Sequence, residues 1–154
     1  MYYNKKTVKI QRNVSVNKMK NGIIKEYFEN GNIKSINNYL NDKLHGLCQT
    51  FFENGNMESS WMFKDNMRNG LCVTFYESGR LFKLSQYIND WPEGICQQWF
   101  ENGFPRVEHF YKNRMRHGVY KGFYTNGQIA ETCRYDNDKM IDDFIEFDEL
   151  GNRI

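Results

Sequence analysis

The chain has 154 residues but a single alanine, Ala130, and only 2 prolines. Alanine is the strongest helix former, so its near absence argues against a helical bundle. Long apolar runs are missing too, and none reaches the roughly 18 residues of a membrane span. The basic N-terminus, Met1 to Lys20, carries no apolar core, so no secretory leader is expected. Its 4 cysteines form no Cys-x-x-Cys pair. Neither sign of charge dominates: the formal net is +2, which gives no global nucleic-acid signature. Hydrophobic residues at 40% and charged residues at 26% exclude wholesale disorder.

What the chain has instead is aromatic residues, 16% of the total, and 12 glycines. Aromatic side chains favour strands. The glycines reveal an internal repeat, the feature that most constrains a fold. Gly22, Gly46, Gly70, Gly94 and Gly118 stand 24 residues apart, as do Gly31, Gly55, Gly79, Gly103, Gly127 and Gly151. Gly122 alone falls off these two combs. With Gly22 as position 1, position 6 is aromatic throughout: Tyr27, Phe51, Phe75, Trp99, Phe123 and Phe147. Position 7 repeats as Phe28, Phe52, Tyr76, Phe100 and Tyr124, and position 18 as Tyr39, Phe63, Tyr87, Tyr111 and Tyr135. Position 2 is aliphatic (Ile23, Leu47, Leu71, Ile95, Val119), and position 12 reads Ile33, Met57, Leu81, Pro105, Ile129.

Three segments follow. Residues 1–21 form a basic N-terminal segment with a partial repeat, because Asn17-Lys18-Met19-Lys20-Asn21 matches Asn113-Arg114-Met115-Arg116-His117. Residues 22–141 are five complete repeats. Residues 142–154 are a partial, acidic capping repeat, with Asp142 where the next glycine would stand.

Positions 8 to 10 read Glu-Asn-Gly in units one, two and four. Asn-Gly between apolar runs signals a hairpin, since both residues tolerate positive φ. Each unit is therefore one β-hairpin, and a second, longer turn is expected near positions 20–24. A two-residue turn would place position 7 opposite 12, whereas the preferred three-residue loop with a glycine bulge would place position 6 opposite 12. That register is expected to gather positions 2, 6, 12 and 18 on one face, with position 7 on the other. The glycine at position 1 is expected to allow positive φ or the close approach of an aromatic from the next unit. Stacked hairpins give an all-β, elongated, single-layer antiparallel meander in which neighbours stabilise neighbours.

Units such as Gly46-Leu47-Cys48-Gln49-Thr50-Phe51-Phe52-Glu53-Asn54-Gly55, followed by Phe63 and Asp65, resemble the MORN repeat. They are most similar to the variant MORN repeat of antitoxin-like bacterial proteins, which many giant-virus proteins also carry. The resemblance covers about Asn17 to Gly151. It implies a single-layer sheet and roles in protein scaffolding, dimer formation and lipid contact, none of them catalytic. Pro105 at position 12 and Asp142 at position 1 depart from the pattern, so local pairing is in question at Pro105 and the last unit is expected to be a frayed cap.

The spacing gives no catalytic or metal constellation. Cys48, Cys72 and Cys96 share position 3, two strands apart, so roughly 9–10 Å separates them. A disulfide needs under about 7 Å between Cα atoms. A zinc ion with bonds of about 2.3 Å could not bridge that gap. Free thiols in a reducing, intracellular compartment are expected. His45 and His117 share position 24 three units apart, and His109 and Cys133 share position 16 in adjacent units. Roughly 10 Å between the latter is too far for a nucleophile and its base. The glutamates at position 8 (Glu29, Glu53, Glu77, Glu101) belong to the turns. No cofactor is expected.

Charge is polarised along the chain. Residues 1–20 carry six basic residues and no acid, whereas 136–149 carry seven acids and Lys139. Opposite ends could align arrays head to tail, and the basic end could touch membrane lipid. The expected function is a non-enzymatic protein–protein interaction or scaffolding module. Its candidate interaction face is Phe28, Phe52, Trp61, Tyr76, Phe100 and Tyr124, with Cys48, Cys72 and Cys96 accessible beside them. An antitoxin-like neutraliser and a lipid-associated adaptor are the alternatives. No basic lining interleaves with the aromatics, so no specific nucleic acid is expected.

Overall fold

The computed structural model describes residues 19–154. The partial repeat and basic charge assigned to 1–18 lie outside the described residues. Fourteen strands form one antiparallel sheet. They are β1 Gly22–Tyr27, β2 Ile33–Leu40, β3 Lys43–Leu44, β4 Gly46–Phe51, β5 Met57–Lys64, β6 Met67–Phe75 and β7 Leu81–Ile88. The second half holds β8 Trp91–Trp99, β9 Pro105–Lys112, β10 Met115–Arg116, β11 Gly118–Phe123, β12 Ile129–Asp136, β13 Lys139–Met140 and β14 Ile145–Glu146. Sheet order follows chain order, with the short β3, β10 and β14 paired onto β2, β9 and β12. The result is an elongated single layer.

The first turn of each unit closes as its residues dictate. Phe28 N–H donates to Asn32 O at 2.8 Å, and Gly31 N–H donates back to Phe28 O at 3.0 Å. Tyr27 then stands opposite Ile33, and the same pairing recurs as Phe51 with Met57, Phe75 with Leu81, Trp99 with Pro105 and Phe123 with Ile129. Pro105 keeps the register because it is the first residue of β9, where no ladder donor is needed. Successive turns are laced by side chains: Asn30, Asn54, Asn102 and Asn126 each donate to the position-8 carbonyl of the next unit.

Beyond that pair the register slips by one residue in every hairpin. Glu26 faces Ser35, and Gly22 faces Tyr39. Position 13 is the extra residue of a bulge, and a bulge reverses which face the rest of the strand presents. The expected gathering of positions 2, 6, 12 and 18 on one face is therefore wrong. Positions 2, 6 and 12 share one face, and position 18 lies on the other with positions 3 and 16. The second turn is also shorter than expected. Asn41 and Asp42 both have positive φ, 51° and 65°, and Leu40 pairs with Lys43, which makes a two-residue hairpin turn.

The glycine at position 1 takes positive φ, as at Gly70, where φ is +123°. The close approach there comes from the preceding strand, not from an aromatic of the next unit. Met62 Cβ lies 3.0 Å from where a Gly70 Cβ would stand. The partial sixth unit keeps its turn, with Gly151 N–H donating to Asp148 O at 2.9 Å, while β14 is only two residues long. Its position 9 is Leu150, which has no amide to continue the lacing.

A single layer has no thick core. Among the described residues the most buried side chains are Cys48, Cys72, Cys96 and Cys133 with Ser35, Ser59 and Ser85. Most of these form one row across the strands: Cys48 pairs with Trp61, Trp61 with Cys72, Cys72 with Ser85, Ser85 with Cys96, and Cys96 with His109. Trp61 and His109 flank the small run Cys72, Ser85 and Cys96 in this row.

Candidate functional site

The face that carries the buried row also carries the position-7 aromatics. Two open troughs lie on it. One, of about 610 Å³, is lined by Phe28, Lys34, Phe52 and Glu58, with Glu26, Glu53 and Glu77 among its acids. The other, of about 360 Å³, continues from Phe52 to Trp61 and Phe82. Phe28, Phe52 and Trp61 are thus brought together. Tyr76, Phe100 and Tyr124 lie further along the same edge and outside both troughs. Their surroundings differ: the Tyr76 and Tyr124 hydroxyls donate to Trp99 O and Phe147 O at 2.7 and 2.8 Å.

The bulge residue at position 13 shapes this face. Lys34 Nζ lies 5.9 Å over the Phe28 ring, and the Arg106 guanidinium 5.8 Å over Phe100. Phe82 meets Tyr76 edge-on at 5.1 Å. Alternation from position 12 already puts position 13 on the face of position 7, but Lys34, Glu58, Phe82, Arg106 and Ala130 share no residue type, so no periodic signal marked them. The expected accessibility of Cys48, Cys72 and Cys96 is overturned, since they are 3–8% exposed. Burial pushes the Cys48 and Cys72 thiols up, away from the reactive thiolate. All four cysteines are free thiols.

Ser85 Oγ sits 3.0 Å from Cys96 Sγ, with His109 on the next strand. Burial, followed by the charges of Arg116 and Lys83, lowers the His109 pKa. Its Nδ1 is buried and unpartnered. The Tyr120 ring lies tilted against it at 4.9 Å between centroids. The cluster lies within the buried row, with Ser85 and Cys96 both covered. The Tyr120 hydroxyl, whose pKa burial and Glu131 push up, donates to the Glu131 carboxylate.

The edge formed by the two-residue turns shows a periodicity the glycines hide. Arg68 lies 4.2 Å over the Tyr87 ring and Arg116 4.2 Å over Tyr135, while Lys20 lies 5.1 Å over Tyr39. The backbone N–H groups of Lys20, Arg68 and Arg116 donate to Asp42, Asp90 and Asp138 at 2.7, 2.9 and 2.9 Å. These stations recur every 48 residues, so two hairpins make one larger unit. At the alternate positions the cation and carboxylate are missing: Leu44 N–H donates to the amide oxygen of Asn66 at 2.7 Å, and Pro92 has no N–H. Met19, Met67 and Met115 carry the same 48-residue signal in the sequence.

The family model of the MORN repeat variant matches residues 20–41, 44–65, 68–89, 92–113 and 116–137. No curated protein matches the chain.

Proposed function

The chain belongs to the MORN repeat variant family, and on that premise we propose that it is a non-enzymatic protein-binding module that grips its partner along the aromatic troughs. The observation that carries this reading is the meeting of Phe28, Phe52 and Trp61 on one open face of the sheet, with no second layer over them among the described residues. Apolar contact there would supply affinity, because aromatic anchors dominate binding surfaces. The acids of the larger trough, Glu26, Glu53, Glu58 and Glu77 against Lys34, favour a partner segment that mixes apolar with basic residues. The four buried free thiols support work in a reducing compartment.

A scaffold and an antitoxin-like neutraliser would use the same face. They differ in what is captured: several structural proteins, or one toxin at equal stoichiometry. The test is affinity capture from the native source with the wild-type chain and with Phe52→Glu, whose fold is checked by circular dichroism. Partners retained by the wild type and lost with folded Phe52→Glu are expected. An identical set from both proteins would overturn the assignment of this face.

A further inference from the structure

The opposite face carries a different pattern. Position 2 of each unit pairs with position 17: Leu47 with Met62, Leu71 with Gln86, Ile95 with Phe110, and Val119 with Arg134. Read across the strands from β2 to β12, the row is Asn38, Leu47, Met62, Leu71, Gln86, Ile95, Phe110, Val119, Arg134. That is one polar residue, three apolar, one polar, three apolar, one polar. The six apolar side chains are 37–54% exposed, which is high for a contiguous strip. The row is a palindrome in polarity, centred on Gln86 of β7.

We propose that two copies of this chain pack face to face through this row, about a two-fold axis running along β7. Such an axis brings a row onto itself reversed, which is the requirement of an isologous interface. Leu71 would then meet the partner's Ile95, Met62 the partner's Phe110, and Leu47 the partner's Val119. Gln86 would meet its own counterpart, and two primary amides can satisfy each other there. Leu84 and Ile88, two residues to either side on β7, would pack on their counterparts around that amide pair. In the neighbouring row Ser60 would face Glu108, and Gln49 would face Lys121, so no like charges meet there. The single like-charge meeting is at the rim, Lys64 with the partner's Lys112.

The area suffices. From β2 to β12 the sheet order gives eight strand steps, roughly 38 Å at about 4.8 Å each. A strip of that length and on the order of 18 Å wide covers about 700 Å² on each copy, close to the roughly 800 Å² per partner of a specific interface. The 48-residue period supplies the reason for the pattern. Met62 and Phe110 sit in equivalent alternate hairpins, and polar Asn38, Gln86 and Arg134 occupy the others.

Sedimentation velocity of the full chain across a concentration and salt series tests this. A dimer is expected, and added salt should tighten it by screening Lys64 from Lys112. Phe110→Lys should weaken it by at least roughly tenfold while leaving the circular dichroism spectrum intact. Gln86→Cys treated with a bismaleimide of about 10 Å span, the usual separation of packed sheets, should yield a covalent dimer, and Asn38→Cys should not. The native thiols are buried and give a low background. A chain that stays monomeric throughout overturns the proposal. So does a dimer that salt dissolves, which would point to end-to-end attraction of the charged termini. Equal cross-linking of Asn38→Cys and Gln86→Cys overturns it as well. Phe52→Glu, on the other face, should leave the dimer unchanged, so this result and the capture result fail independently.

Discussion

Arg68 holds Asp90 across 22 residues of sequence, with Nε 2.8 Å from the carboxylate Oδ1. The same oxygen takes the Arg68 backbone N–H at 2.9 Å. One carboxylate therefore fastens the start of β6 to the two-residue turn between β7 and β8, and the guanidinium covers the Tyr87 ring.

Hydrogen bonds from the Arg68 side chain and then its backbone hold the Asp90 carboxyl below its ordinary range. A depressed aspartate contributes stability above its unfolded value, and that contribution is lost as pH falls through the folded value. The loss is expected below about pH 3.9. Asp90→Asn should be less stable than wild type at neutral pH and should show a shallower acid limb. Urea melts at neutral pH and at successive acid pH values measure both.

His109 works in the opposite range. Its pKa is lowered, so the unfolded chain binds the proton more readily and stability rises with pH. The contribution is complete above about pH 6.5 and is lost as pH falls below that toward the folded value. His109→Gln should remove that slope. Denaturant midpoints at pH 7.5 and 5.5 should differ in the wild type and draw together in the variant.

The glycines separate two kinds of constraint. Gly31 has φ +90° and open space around it, so Gly31→Ala should cost only the torsional penalty, about 1–2 kcal/mol. Gly127 has φ +86° and the Phe104 ring 2.7 Å from where a Cβ would stand, so Gly127→Ala should cost more. Gly122 has ordinary backbone, but the Glu131 side chain lies 2.7 Å from its would-be Cβ. Gly122→Ala should displace Glu131 from Tyr120, at about 1–2 kcal/mol. Thermal melts of the three variants should rank Gly127→Ala as the least stable.

Tyr124→Phe removes the hydroxyl that reaches Phe147 O in the partial last unit. A loss of about 0.5–1.5 kcal/mol is expected. Hydrogen exchange should localise it to residues 145–153. Uniform loss of protection along the sheet would contradict the unit-by-unit stability of a repeat array.

Much of this was legible in advance. Asn-Gly at positions 9 and 10 specified the first turn, and the pairing of Tyr27 with Ile33 follows from it. The position-7 column supplied Phe28 and Phe52, and Trp61, outside the columns at position 16, lies on the same face. Lys34, Glu58 and Phe82 escaped because position 13 changes residue type from unit to unit, although alternation already places it beside position 7. The exposed row of Leu47, Met62 and Leu71 escaped because the bulge brings position 17, not 18, to the face of position 2. Position 2 was grouped with position 18 as packing, yet its partner is position 17.

The sequence by itself determined the repeat, the hairpin and the first turn, because these depend on residues close in the chain and on backbone torsions that glycine and asparagine permit. Only the tertiary structure decided which columns are covered. A bulge is one unpaired residue, and which residue is left unpaired depends on how the neighbouring strand aligns. That single slip, repeated in every unit, buried the cysteines, turned the position-18 aromatics to their side and left the aliphatic row in solvent.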